Sequence, residues 1–199
     1  MTDQAALRYR DECISLLEKA LSAYHTDVAK ALLFCCFKSP EIMDIPDCYG
    51  IICDINASDI YLWDYKDLLW KCHDHSTQGS HPKVTSFNII IERYVNMRKL
   101  LVQQIHESSD AFFKKKSERM IGRITALIGK LNTNSYKYNV WGEVLELIQV
   151  KFSSYCDKVS TYLPLNDGTL YNKLTGESKR RDPRDYYTVT SSKPTETGI

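Results

Sequence analysis

The sequence predicts an all-α fold: a multi-helix bundle followed by a small C-terminal hairpin and a disordered tail. Apolar residues recur at three- and four-residue steps over most of positions 4–162. Asp-Gly and Thr-Gly pairs at 167–168 and 175–176 flank a short β-prone run. From Lys179 onward nearly every residue is charged, Ser, Thr or Pro, a composition with little apolar surface to offset ordering entropy. The expected division is a helical domain over 1–163, a hairpin-like segment over 164–178 and a flexible tail over 179–199.

Cys13, Ile14, Leu17, Leu21 and Tyr24 make an amphipathic stripe with Arg10, Glu18 and Lys19 between them, which predicts a helix over about 4–23. "HTDVAKALLFCCFK" is apolar on most sides and reads as a central helix, and "KSPEI" offers a stop and restart at Ser39 and Pro40. Pro46 and Gly50 interrupt the next apolar stretch, where "YGIICDI" fits a short helix or a strand; short helices are the reading taken. "NASDIYLWDYKDLLWKC" follows as a further helix, capped by Asn56 or Ser58, with Ile60, Trp63, Leu68 and Trp70 facing inward. Residues 73–83 read as a polar loop.

The clearest stripe is Phe87, Ile90, Ile91, Tyr94, Met97, Leu101 and Ile105. Its polar sequel "HESSDAFFKKKSER" either continues the helix or breaks it at Ser108–Ser109, before Ile121, Ile124, Leu127, Ile128 and Leu131 resume the spacing. Gly122 and Gly129, inside that pattern, suggest close helix packing. Trp141, Val144, Leu145, Ile148, Phe152, Tyr155 and Val159 predict a last helix over about 139–162. The expected core is Leu17, Leu21, Leu32, Ile90, Ile91, Leu101, Leu127, Trp141, Leu145, Ile148 and Phe152.

Length and a 43% apolar composition suit one domain with its own core. A formal charge of +1 predicts neither a nucleic-acid nor an anionic-membrane partner from bulk charge alone. The densest apolar run, "ALLFCCF", is too short to span a bilayer, and the charged "MTDQAALRYRDE" has no apolar signal core. Seven unclustered cysteines fit a reducing compartment. The cytoplasm is therefore expected, with the nucleus as the alternative.

No P-loop, dinucleotide fingerprint, nucleophile elbow or H-E-x-x-H is present, so neither an enzyme nor a cofactor is expected. Cys48, Cys53, Cys72 and His75 have zinc-ligand chemistry but not the tight spacing of a zinc knuckle; buried thiols and a solvated histidine loop are the simpler reading. Two basic clusters stand out: Lys114, Lys115, Lys116, Arg119 and Arg123, then Lys179, Arg180, Arg181 and Arg184. Interleaved acids suggest solvated faces laced with i,i+4 pairs such as Asp110–Lys114. The competing reading is phosphate contact in a nucleic-acid-associated regulatory protein.

In "LYNKLTGESKRRDP", Asn172, Thr175, Ser178 and Pro183 resemble the spacing of the last strands of a WW domain. The position of that family's ligand-stacking Trp holds Arg180, so an ordinary hairpin is expected here rather than a proline-peptide groove. Tyr186–Val189, "YYTV", looks like a tyrosine-based sorting or phosphorylation motif. The last residues, Glu196, Thr197, Gly198 and Ile199, look like a class I PDZ ligand, with a hydroxyl two places before an apolar terminus. The functional expectation is a non-enzymatic adaptor or regulatory protein that offers this peptide to a PDZ-domain partner, with homo-oligomerisation through helix 86–131 also open.

Overall fold

A computed structural model describes residues 3–73, 81–157 and 161–190. It corrects the all-α expectation: the described residues are mixed α/β, 57% helical and 15% strand, with six α-helices and two sheets of four and three strands. Two compact units divide it, Met1–Asp44 with His75–Leu147, and Ile45–Asp74 with Ile148–Ile199.

The first unit is helical: α1 (Asp3–Ala20), α2 (His25–Cys36), α3 (Pro82–Glu107), α4 (Ala111–Leu131) and α5 (Asn134–Ile148). Pro82 opens α3, where its missing N–H costs nothing, and the His81 ring nitrogen accepts from the Lys83 amide. The polar middle of the long stripe does break. Ser108 leaves helical geometry, and the Asp110 carboxylate accepts from the Phe112 and Phe113 amides to start α4. A three-residue connection thus lets α4 fold back along α3. Leu17, Leu32, Phe87, Ile90, Ile124, Leu127, Leu131, Val140 and Val144 are buried here, and the Tyr94 hydroxyl donates to the Leu17 carbonyl at 2.9 Å. Ile91, Leu101 and Leu145, expected in the core, are only partly buried. Gly122 and Gly129 are exposed, with no atom of the described residues within 4 Å of an added Cβ, so they do not serve close packing.

The second unit holds both sheets. β1 (Ile51–Asp54), β2 (Ile60–Asp64) and β3 (Leu69–Cys72) form an antiparallel meander, and β4 (Gln149–Val150) joins β1 in parallel, giving the order β3-β2-β1-β4. The helices expected over this stretch are therefore strands. The reason lies in the turns. The Asp54 carboxylate accepts from the Asn56 amide and Ser58 takes a positive φ, so these residues turn a hairpin instead of capping a helix. Likewise Asp64 accepts from the Lys66 and Asp67 amides, Leu68 has φ 51°, and Lys71 bridges Asp64 and Asp67 at 2.6 Å each. The last predicted helix also stops early: α5 ends at Ile148, and only the short α6 (Phe152–Tyr155) follows. Ile52, Trp63, Trp70 and Phe152 form this unit's aromatic core.

β5 (Tyr162–Pro164), β6 (Thr169–Asn172) and β7 (Ser178–Arg180) make a three-stranded antiparallel meander in place of the expected two-stranded hairpin. Gly168 and Gly176 occupy its turns with φ of 82° and 74°, as the Asp-Gly and Thr-Gly pairs predict. Beyond β7 the chain stays packed over 181–187 and hydrogen-bonded to Asp157 and Asn166 over 188–190, contrary to a flexible tail from 179. Arg181, Pro183 and Tyr187 are buried, the Trp70 indole donates to the Pro183 carbonyl at 2.7 Å, and the Trp70 amide donates to Tyr187 O at 3.0 Å. Composition concealed this because residues 181–187 find two of their partners, Leu69 and Trp70, far away in sequence.

Candidate cationic face on helix α4

α4 carries Lys114, Lys115, Lys116, Arg119, Arg123 and Lys130 against a single acid, Glu118, so a near-neutral chain concentrates positive charge on one helix. The buried side of the helix is set by Ser117, Ile124, Leu127 and Leu131. At 3.6 residues per turn, Phe112, Lys115, Lys116, Arg119, Met120 and Arg123 then fall on one flank, following three- and four-residue steps. Together they border a surface concavity of about 460 Å3. Phe112 is 79% exposed. Lys114, two residues from Phe112, belongs to the opposite flank and does not border the concavity.

The i,i+4 lacework expected to neutralise this cluster is not formed. Asp110 spends its carboxylate on the amides that begin α4, and none of the ion pairs among the described residues involves α4. Four exposed cations therefore share a face with an exposed aromatic ring and form no ion pair among the described residues. Their mutual repulsion is relieved only by solvent, salt or an anionic partner.

The second basic cluster is used differently. Lys179 pairs with Asp185 at 2.9 Å and lies over the Tyr162 ring, while Arg184 pairs with Asp182 at 2.8 Å. The Asp185 carboxylate raises the pKa of Lys179, and the bond from Arg184 holds the Asp182 carboxyl below the ordinary carboxylate range. Arg181 is 2% exposed and donates to the Leu165 carbonyl at 2.6 Å, and burial lowers its pKa. Arg180 is exposed on β7. Of this cluster, then, most cations hold the local fold together rather than face outward.

The zinc candidates among the described residues do not converge. Ile52, Tyr61 and Cys72 lie in one cross-strand row, so Cys53, the next residue on β1, projects from the other face of the sheet than Cys72. No group of three or more metal-ligating side chains occurs among the described residues, all seven cysteines are thiols, and His75 lies outside the described residues. Glu196, Thr197, Gly198 and Ile199 also lie outside them. Tyr186 and Tyr187 of the "YYTV" motif are packed, Tyr186 against the Phe152 and Tyr155 rings. No helix of the described residues is long and apolar enough to cross a membrane.

Sequence reasoning picked out the cations of α4 but not Phe112 or Met120 as their neighbours. The signal was present in the spacing: positions 112, 115, 116, 119, 120 and 123 trace one helical stripe. Comparison with protein-family models and with curated proteins finds no match to the chain.

Proposed function

We propose that the chain is a non-enzymatic, nucleic-acid-associated regulatory protein that holds phosphates on the α4 face. Lys115, Lys116, Arg119 and Arg123 supply the charge, with Lys115, Arg119 and Arg123 about one helical turn apart along one row and Lys116 beside it. The observation that carries the reading is that these four cations are exposed together, that Asp110 is spent on the helix cap, and that no ion pair among the described residues involves α4. An ordinary solvated helix would interleave its charges into pairs. Cations left without local partners keep their full attraction for a polyanion and release its counterions on binding.

The test is the salt dependence of binding to a labelled oligonucleotide. Four neutralised phosphates give a slope of log affinity against log salt of roughly −3. Lys115→Glu with Arg119→Glu should remove most of that slope, whereas Lys114→Glu on the opposite flank should alter it less. A wild-type protein that binds no oligonucleotide at about 50 mM salt would overturn the reading.

The adaptor reading attached to Glu196, Thr197, Gly198 and Ile199 is a separate proposal. It predicts that a peptide of these residues binds a class I PDZ domain with a free terminal carboxylate and not with an amide-blocked one.

A further inference from the structure

We infer that the α4 face takes single-stranded rather than duplex nucleic acid, with Phe112 as the platform on which one base stacks. The inference rests on the nucleic-acid reading of the same face and adds a substrate class to it.

Phe112 sits in the first turn of α4, where the Asp110 cap fixes the backbone that carries it. The residue is 79% exposed, and it borders the same concavity as Lys115, Lys116, Arg119 and Arg123. From Phe112 to Arg123 the face runs about 16 Å at 1.5 Å per residue. Its apolar groups stand at position 112 and at Met120, with cations between and beyond them.

That pattern separates the polyanions. A duplex offers phosphates to the cations, but its base faces are covered by their neighbours in the stack, so an exposed phenyl ring gains nothing from it. A single strand offers both phosphates and an uncovered π-face. Base–aromatic stacking is the contact by which single-strand-binding surfaces supplement their charge. A membrane surface suits the face poorly. An interfacial helix needs a broad apolar side to embed, and the apolar side of α4 is already turned into the bundle through Ile124, Leu127 and Leu131.

The experiment measures fluorescence anisotropy of the full chain at about 50 mM salt with three probes: labelled oligothymidine, a duplex of the same length, and vesicles containing anionic lipid. The single strand should bind more tightly than the duplex. Phe112→Ala should weaken single-strand binding about 5- to 150-fold, the equivalent of one lost stack, and leave duplex binding unchanged. Phe112→Tyr, which keeps a π-face, should retain binding. Lys115→Glu with Arg119→Glu should weaken both oligonucleotides. Because Phe112 is exposed, an unchanged far-ultraviolet circular dichroism spectrum is expected for every variant.

If the charge variant loses binding while Phe112→Ala is silent, or lowers both oligonucleotides alike, the single-strand inference falls and the nucleic-acid reading stands. If neither oligonucleotide binds, including the case in which only the vesicles do, both fall.

Discussion

Replacing Trp70 by Phe tests whether the chain beyond β7 is held as the structure describes. Trp70 is 2% exposed and lies edge-on to the Trp63 and Phe152 rings, at centroid distances of 5.4 and 6.2 Å. Its indole nitrogen donates to the Pro183 carbonyl. Phe keeps a ring in the cluster but has no donor, so that carbonyl loses its indole partner at a cost of about 1–3 kcal/mol. The smaller ring forfeits about 1–2 kcal/mol more in buried apolar area. The packing loss falls on the Trp63 and Phe152 contacts, whereas the lost hydrogen bond weakens the docking of 181–187 by about 1–3 kcal/mol and raises the population of its open form roughly 5- to 150-fold.

Limited trypsin digestion reads this directly, because the peptide bond after the buried Arg181 is cut only when the segment opens, and the cutting rate then follows the open population. Cleavage there should be slow in the wild type and accelerated by that factor in Trp70→Phe, with hydrogen exchange over 183–188 rising in parallel. A wild type cut at Arg181 as fast as an unstructured peptide, or a variant indistinguishable from it, would refute the reasoning. A single global unfolding free energy is the weaker readout, since two compact units need not melt as one.

Two further outcomes follow from single residues. Gly122→Ala should stabilise α4 by about 0.5–1 kcal/mol, because the residue is mid-helix and exposed with nothing near its missing Cβ; a thermal melt showing destabilisation would restore a packing role. Burial alone would raise the pKa of Asp54, but bonds from the Ser153 hydroxyl and from the Asn56, Ser153 and Phe152 amides more than offset it and hold the carboxyl below its ordinary range. A folded pKa below the unfolded one stabilises the fold above the ordinary carboxyl range, and that contribution disappears as pH falls through the lowered value. Asp54→Asn should therefore loosen residues 51–56 and 152–155 at neutral pH and differ less from wild type in acid, as hydrogen exchange corrected for its intrinsic pH dependence will show; an equal difference at both pH values would count against the assignment.

Much of the helical unit was legible in the amino-acid sequence. The stripes of α1, α3 and α4 and the glycine turns at 168 and 176 depend on neighbours three or four residues away, because helix hydrogen bonds and tight-turn dihedrals are local. The same locality made the α4 cations visible as a cluster. Which of them stay available was not visible, because that depends on what each carboxylate does in three dimensions. Asp110 could pair with Lys114 or cap its helix, and it caps. Asp182 and Asp185 could lie beside Arg184 and Lys179 or in solvent, and they pair.

The sheets were hidden for a related reason. β1 takes β4 as a neighbour from about a hundred residues away, and residues 181–187 find Trp70 at a similar remove. A strand acquires its hydrogen bonds and a buried face only when such distant segments meet. Read within a window, "IYLWDYKDLLWKC" offered enough apolar groups to make a helix. Tertiary structure decided for strands by using Asp54 and Asp64 to turn the chain and by giving Trp63, Trp70 and Phe152 one another to pack against.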